Sequence, residues 1–136
     1  MSTGLYTFSN DTLQRLRKFR FLLGKGDSME ALVCSINKDT YEIVPEDDEV
    51  TLMEELVDEL PDNLPRFVVL LYPIKLSDGR LKVPLVLVYW IPPTCGQEQR
   101  MLYAGAVELV REKTGVAKVI KIDDEDDFED IERQLL

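Results

Sequence analysis

The chain carries two almost wholly apolar stretches, Arg66-Phe-Val-Val-Leu-Leu-Tyr72 and Val83-Pro-Leu-Val-Leu-Val-Tyr-Trp-Ile91. Both are rich in β-branched and aromatic residues, which predicts central strands of a sheet that is covered on both faces. Between them lies Ser77-Asp78-Gly79-Arg80, and an Asp-Gly pair between two strand patterns indicates a tight hairpin turn. We therefore expect the two strands to be antiparallel neighbours, with an exposed turn at the tip.

The N-terminal part of the chain predicts a helix followed by a hairpin. The helix begins near Asp11, which forms a variant of the capping box with Gln14, and it ends at about residue 20. Two strands are predicted over 30–36 and 41–44, because turn-forming residues separate two runs of strand-forming residues.

The middle and C-terminal parts predict two more helices and a last strand. A second capping box over 51–54 starts a short helix that ends before Pro61. A long helix is predicted over 97–113, and Gly115 ends it in a left-handed cap. The strand predicted over 116–122 follows.

A C-terminal helix completes the pattern. Asp126 and Asp127 favour its start, and its apolar stripe consists of Phe128, Ile131 and Leu135. The predicted order is α-β-β-α-β-β-α-β-α, and no repeat or linker divides the 136 residues. We therefore expect residues 1–136 to form a single α+β domain, in which helices pack on both faces of a central sheet.

The composition excludes several classes of function. There are 26 acidic and 16 basic residues, so the net charge of −10 repels phosphate backbones and anionic lipids. We therefore expect neither nucleic acid nor a membrane as a partner. Histidine is absent, and no phosphate-binding loop or nucleophile motif occurs. We therefore expect no enzyme activity, no cofactor and no metal.

Three further patterns have simple structural interpretations. Cys34 and Cys95 lie far apart in the sequence, which predicts two structural thiols in a reducing compartment. The acidic run over 123–127 lacks the glycine and the last glutamate of a calcium-binding loop. No apolar stretch reaches about 18 residues and no signal peptide is present, so we expect a soluble cytoplasmic protein.

One face of the predicted long helix is a candidate contact surface. With a rotation of about 100° per residue, Met101 projects away from the sheet together with Arg100, Ala104 and Glu108. Tyr103 lies nearer the core. An exposed methionine beside an arginine is typical of an adaptable protein interface. Single apolar residues are also common on ordinary surfaces, so both interpretations stay open.

The first helix and the residues that follow it concentrate positive charge in an otherwise acidic chain. The basic residues are Arg15, Arg17, Lys18, Arg20 and Lys25. This separation of charge would steer the helix toward an acidic surface of a protein partner. The alternative is an ordinary solvated helix face, in which each charge contributes little.

Four motifs, in order along the chain, resemble the glia maturation factor family, a branch of the actin-depolymerising factor (ADF) homology domains. They are Leu16-Arg-Lys-Phe-Arg-Phe21, Leu64-Pro-Arg-Phe-Val68, Pro84-Leu-Val-Leu-Val-Tyr-Trp90 and Gln99-Arg-Met-Leu-Tyr-Ala-Gly105. The resemblance covers nearly the whole chain and implies an ADF homology fold with a central mixed β-sheet. The segment Leu22-Leu23-Gly24-Lys25 departs from the family, because relatives usually place polar residues there.

The resemblance also implies a function. Proteins of this family are non-enzymatic and bind the actin-related protein 2/3 complex, chiefly its actin-related protein 2 subunit. They inhibit nucleation and promote debranching of daughter filaments. The implied location is the cytoplasm, at the actin cytoskeleton and in cortical actin patches. Cofilin-like relatives instead bind actin and sever or depolymerise filaments, and this alternative stays open.

The resemblance assigns three groups of contact residues. The motif of the long helix falls on Arg100, Met101, Tyr103 and Ala104, and Glu108 shares its face. The N-terminal segment and first helix contribute Ser2, Arg15, Arg17, Lys18 and Arg20. We expect Arg15 and Lys18 to point outward, and Ser2 is also a candidate for phosphorylation. The loop between the central strands would reach the first actin subunit of the daughter filament through Asp78, Gly79, Arg80 and Lys82. Since these contacts are made to other proteins, we expect a monomer.

Overall fold

A central β-sheet organises the structure, a computed structural model that describes residues 5–22, 28–46, 49–116 and 118–135. In chain order, the strands within these ranges are β1 Thr7–Phe8, β2 Glu30–Ile36, β3 Glu42–Pro45, β4 Arg66–Leu71, β5 Ile74–Lys75, β6 Leu81–Lys82, β7 Leu85–Trp90 and β8 Val119–Ile122. Six of them form one sheet in the order β1-β3-β2-β4-β7-β8, while β5 pairs with β6. The pairs β1–β3 and β7–β8 are parallel and the others antiparallel, which confirms the mixed sheet.

The two apolar stretches form the middle of this sheet. β4 and β7 are antiparallel neighbours, with Val68 opposite Val88, as predicted. Phe67 and Leu87 belong to the core on one face of the sheet, whereas Val68 and Val88 belong to the core on the other. All four side chains are fully buried. Burial on both faces explains why these strands are apolar at nearly every position.

Helices cover both faces of the sheet. Within the described ranges they are α1 Asn10–Leu22, α2 Met53–Glu59, α3 Gln97–Ala104, α4 Val107–Thr114 and α5 Ile131–Leu135, with a 3₁₀ helix at Glu125–Asp130. Phe19 of α1 and Val110 of α4 pack in one core, and Leu56 of α2 and Phe128 of the 3₁₀ helix pack in the other. The predicted C-terminal helix thus begins as a 3₁₀ helix, and its apolar stripe is buried as expected.

Both predicted N-terminal helix caps are wrong. The hydroxyl oxygen of Ser9 accepts a hydrogen bond from the Thr12 amide at 3.1 Å, so Ser9 caps α1 and Asp11 does not. At α2 the N-cap position is occupied by Leu52, whose side chain cannot accept a hydrogen bond. Thr51 therefore does not cap that helix. In both places the backbone enters the helix at a different residue from the one that the capping pattern indicates.

The Asp78-Gly79 turn lies at the tip of a small separate hairpin. β5 and β6 pair with each other, with Ile74 opposite Lys82, and they lengthen the connection between β4 and β7. Gly79 has a φ of +90°, a conformation that glycine adopts without a steric penalty. The turn is exposed, as predicted.

The helix predicted over 97–113 is two helices in the structure. α3 ends at Ala104 and α4 begins at Val107. Gly115 closes α4 with a φ of +74°, which confirms the predicted left-handed cap. The following strand, β8, begins at Val119, later than predicted.

Candidate functional site

The outward face of α3 presents an exposed methionine beside an arginine. Met101 is 65% exposed, the largest fraction of any large apolar side chain in the described ranges. Arg100 is half-buried, and its Nη2 donates a hydrogen bond to the Pro92 carbonyl at 3.1 Å. Ala104 is exposed and small, so another surface could approach the helix closely at this point. The three residues form one surface, which we call the α3 face.

Tyr103 lies beneath the α3 face, in the core. Its side chain is 1% exposed, and its hydroxyl accepts a hydrogen bond from the Ile36 amide at 2.9 Å. Burial raises the pKa of Tyr103, while its hydrogen bond with Ile36 and the nearby Arg66 guanidinium act in the opposite direction. Tyr103 therefore supports the helix from within.

A hydrogen bond from outside the helix lies at the point where α3 ends. The Tyr6 hydroxyl donates to the Leu102 carbonyl at 2.7 Å. In an uninterrupted helix this carbonyl would accept from the Ala106 amide. Here the Ala106 amide donates to the Tyr103 carbonyl at 3.0 Å. Tyr6 was not predicted as a functional residue, because a tyrosine outside any periodic pattern carries no signal of such a contact.

Glu108 lies beyond this break, on α4. It is exposed, and its Oε2 accepts a hydrogen bond from Arg111 Nε at 2.7 Å. The two residues are three positions apart, which is the usual spacing of such pairs on a helix surface. Glu108 therefore has a partner on its own helix and lies on a different helix from Met101.

The basic residues of α1 differ in their exposure. Arg17 and Lys18 are exposed, whereas Arg15 is half-buried. Arg15 forms an ion pair with Asp11, with 3.2 Å between Nε and Oδ1. Of the predicted outward pair, Lys18 is thus the more accessible residue.

Several predicted features fall on residues that the structure does not describe. Ser2 and the side chain of Arg20 lie outside the described parts of the chain, as do Leu23, Gly24 and Lys25 and the side chain of Leu22. The expected contact of Ser2 and Arg20, the phosphorylation of Ser2 and the effect of the Leu22-Leu23 segment stay predictions.

The tip of the β5–β6 hairpin is a second candidate contact. Arg80 Nε lies 2.6 Å from Asp78 Oδ2, and the Arg80 amide donates to Asp78 Oδ1 at 3.0 Å. Lys82 is exposed beside Leu81, which is 51% exposed. Leu81 was not predicted as a contact residue, because exposure of a single leucine has no signature in a two-residue strand. The tip thus presents two cations around an exposed apolar side chain.

The sheet separates a basic helical layer from an acidic one. α1, α3 and α4 contain seven basic and four acidic residues, whereas α2, the 3₁₀ helix and α5 contain ten acidic residues and one basic residue. In the acidic layer the pKa of Asp127 is raised, first by loss of hydration and then by repulsion from Asp123 and Asp124. The α3 face lies on the basic layer, so an acidic partner surface would meet it with favourable charge.

The described ranges contain no metal-binding arrangement. No group of three or more His, Cys, Asp or Glu residues in them could hold a metal ion. Cys34 and Cys95 are free thiols and both are buried. Burial raises the pKa of the Cys34 thiol to about 12, so this sulfur is not a reactive thiolate at neutral pH.

No helix within the described ranges is both long enough and apolar enough to cross a bilayer.

Known proteins share both the sequence and the fold. The family model described as cofilin/tropomyosin-type actin-binding protein matches residues 5–135. Protein AIM7 of Saccharomyces cerevisiae is 41% identical over 98% of this chain and 97% of its own length. Human glia maturation factor beta is 35% identical over 88% of this chain and 84% of its own length.

Solved structures of related proteins have a similar fold. The solution structure of glia maturation factor from Caenorhabditis elegans has a TM-score of 0.74 and 32% identity, and covers 93% of this chain and 91% of that one. The crystal structure of a Streptomyces griseoflavus cofilin has a TM-score of 0.77 and covers 96% of each chain. At 22% identity, this second likeness concerns the fold alone.

The mixed sheet with helices on both faces is therefore an ADF homology fold. The chain belongs to the cofilin/tropomyosin-type actin-binding family and, within it, to the glia maturation factors. The resemblance of the four motifs is thus confirmed. The family is one of actin regulators, not of enzymes.

Proposed function

We propose that this protein is a non-enzymatic regulator of branched actin networks. It binds the actin-related protein 2/3 complex, chiefly the actin-related protein 2 subunit, inhibits nucleation and promotes debranching of daughter filaments. It acts as a monomer and as one domain, in the cytoplasm at the actin cytoskeleton and cortical actin patches. Family membership supports this proposal, and the α3 face carries it.

The α3 face has the properties of a binding surface. Met101 is flexible and 65% exposed, and its full burial would contribute about 1.5–3 kcal/mol. The hydrogen bond to Pro92 restrains Arg100, so this side chain loses less conformational freedom on binding. Ala104 adds little bulk beside them, which allows an actin-like subunit to approach the helix backbone.

The β5–β6 hairpin supplies the second contact of this proposal. Arg80 and Lys82 are exposed cations on an element that pairs separately from the main sheet. They contact the first actin subunit of the daughter filament as it separates from the complex, which speeds its release. The protein binds the complex more tightly when the filament is detached, so binding shifts the equilibrium toward debranching without covalent chemistry.

Equilibrium binding at fixed salt tests the proposal. The protein is titrated against the actin-related protein 2/3 complex, actin monomers and actin filaments. The Arg100→Ala/Met101→Ala variant is compared with Leu52→Ala/Arg133→Ala, which also removes one arginine and one exposed apolar side chain, but from the acidic layer. We expect the first variant to lose about 2 kcal/mol, roughly 30-fold in affinity, and the second to bind like the wild type.

The relative affinities for the complex and for actin distinguish a glia maturation factor from a cofilin-like protein. Tight binding to the complex with weak binding to actin supports the proposal. The opposite preference identifies a cofilin-like protein that severs or depolymerises filaments. A folded Arg100→Ala/Met101→Ala variant with unchanged affinity refutes the α3 face as the site.

A further inference from the structure

We propose that Tyr6 is a positioning residue for the α3 face. Its hydroxyl fixes the break between α3 and α4, and thereby the direction in which Met101 points. The inference rests on the proposed function, because it concerns the same surface. Tyr6 is buried, precedes β1 and lies 96 positions from Leu102 in the sequence.

The backbone hydrogen bonds change where α3 ends. The Leu102 carbonyl accepts a hydrogen bond from the Tyr6 hydroxyl at 2.7 Å, a donor that lies outside the helix. The Ala106 amide donates instead to the Tyr103 carbonyl, three residues back, as in a 3₁₀ turn. Ala106 has a φ of −106° and a ψ of −8°, which depart from the typical α-helical values of about −63° and −42°. The helix therefore tightens where Tyr6 contacts it.

The Tyr6 hydroxyl leaves no space for a side chain at Gly105. A Cβ atom at this position would lie 2.6 Å from the Tyr6 hydroxyl oxygen but 3.6 Å from the ring carbon Cζ. The φ of Gly105 is −70°, which every residue adopts, so glycine is required here for space and not for backbone freedom. The Met101 carbonyl oxygen would also lie at 3.6 Å, an ordinary contact, so of these three atoms only the hydroxyl oxygen is too close to a Cβ atom. Tyr6 and Gly105 therefore form a matched pair.

Tyr6 is itself held in place. The Thr7 amide donates to the Tyr41 carbonyl at 3.1 Å, which attaches β1 to the edge of the sheet. The rings of Tyr6 and Tyr41 lie 5.5 Å apart. Burial raises the pKa of Tyr6, so the hydroxyl keeps its proton at neutral pH and remains a donor. The break is thus imposed on the helix by the sheet.

The break matters because α4 is anchored in the core. A 3₁₀ turn advances about 120° per residue, whereas an α-helix advances about 100°. Val110 holds α4 against the sheet at 2% exposure. If α3 and α4 became one continuous α-helix, α3 would have to rotate relative to α4, which Val110 holds in place. The α3 face would then point in a different direction.

Four proteins test the inference: the wild type, Tyr6→Phe, Gly105→Ala and the double variant. Gly105→Ala alone should lower the urea midpoint of unfolding, because its Cβ meets the hydroxyl. In the Tyr6→Phe background the same substitution should cost nothing or raise the midpoint, because alanine favours a helix. The backbone chemical shifts of Ala106 in the double variant should move to helical values.

The affinity for the complex then shows whether Tyr6 positions the α3 face or only stabilises the fold. We expect the folded double variant to bind the actin-related protein 2/3 complex at least tenfold more weakly than the wild type. Tyr72→Phe, which removes an exposed hydroxyl that donates to Glu132, is the control and should leave the affinity and the Ala106 shifts unchanged.

Two results would overturn the inference. One is a double variant that keeps the break, and the other is a double variant that closes the break and binds with wild-type affinity. A wild-type protein that binds neither the complex nor actin refutes the proposed function instead. In that case the Ala106 shifts alone decide whether Tyr6 sets the break.

Discussion

The Tyr103 hydroxyl accepts a hydrogen bond from the Ile36 amide at 2.9 Å, which joins α3 to the end of β2 within the core. Arg66 Nη1 donates to the same oxygen at 3.4 Å, and Arg66 Nη2 lies 3.1 Å from Glu46 Oε1. Met101, two residues before Tyr103, is exposed to solvent. Within one helical turn, Tyr103 thus holds α3 in the core, while Met101 is exposed for contact with a partner.

Removal of the Tyr103 hydroxyl should destabilise the fold. Tyr103→Phe leaves the buried Ile36 amide without an acceptor, and we expect a loss of about 1–3 kcal/mol in the free energy of unfolding, measured in urea. Tyr72→Phe is the matched control, because the Tyr72 hydroxyl donates to Glu132 at the surface. The control should lose about 0.5 kcal/mol or less. Equal losses in both variants would contradict the supporting role of Tyr103.

The stability should decrease in mildly alkaline solution. Burial raises the pKa of Cys34 from 9.0 to about 12, so the folded state holds this proton more tightly than the unfolded state. The resulting stability is complete well below pH 9 and is lost progressively as the pH rises from about 9 toward 12. Urea unfolding at several values between pH 8 and 10 measures the slope.

Substitution of Cys34 identifies the source of that slope. Cys34→Ala should reduce the decrease between pH 9 and 10, whereas Val33→Ala, which also truncates a buried side chain of β2, should retain it. If the Cys34→Ala variant shows the wild-type slope, ionisation of the Cys34 thiol is not its cause.

Removal of one charge from the acidic layer should stabilise the protein. The pKa of Asp127 is raised, so its charged form is disfavoured in the fold, and its contribution to stability decreases as the pH rises above the ordinary value of 3.8. Asp127→Asn should therefore raise the melting temperature at pH 7. Asp127 also lies in the first turn of the 3₁₀ helix, where a negative charge is favourable. A lower melting temperature would mean that this helix-end effect is larger than the repulsion.

A control variant separates this local effect from the change in net charge. Asp39→Asn removes one negative charge from an exposed turn. We expect a smaller rise in melting temperature for this variant than for Asp127→Asn.

The hairpin tip should affect debranching without affecting stability. The ion pair of Arg80 and Asp78 is exposed, with 76% and 51% of the side chains accessible, so its loss costs little. We expect Arg80→Ala/Lys82→Ala to bind the isolated complex like the wild type but to release daughter filaments more slowly, measured by imaging of branched filaments. Lys121→Ala/Arg133→Ala removes two exposed cations elsewhere and should debranch normally. An equal loss in both variants would point to net charge as the cause.

Short-range patterns in the sequence predict most of the sheet and the orientation of α3. The apolar runs of β4 and β7 indicate burial on both faces, and the Asp78-Gly79 pair indicates a turn. The helical period alone orients Met101 outward and Tyr103 inward. Each of these features depends on residues within a few positions of one another, so a single segment contains the information.

The features that the sequence did not predict depend on distant segments. β1 forms because Thr7 meets the carbonyl of Tyr41, and a two-residue strand has no periodicity of its own. The apolar pattern of α3 continues through Gly105 into α4, so it predicts one helix. Only the tertiary structure ends α3 there, because the competing hydrogen-bond donor, the Tyr6 hydroxyl, comes from the other end of the chain.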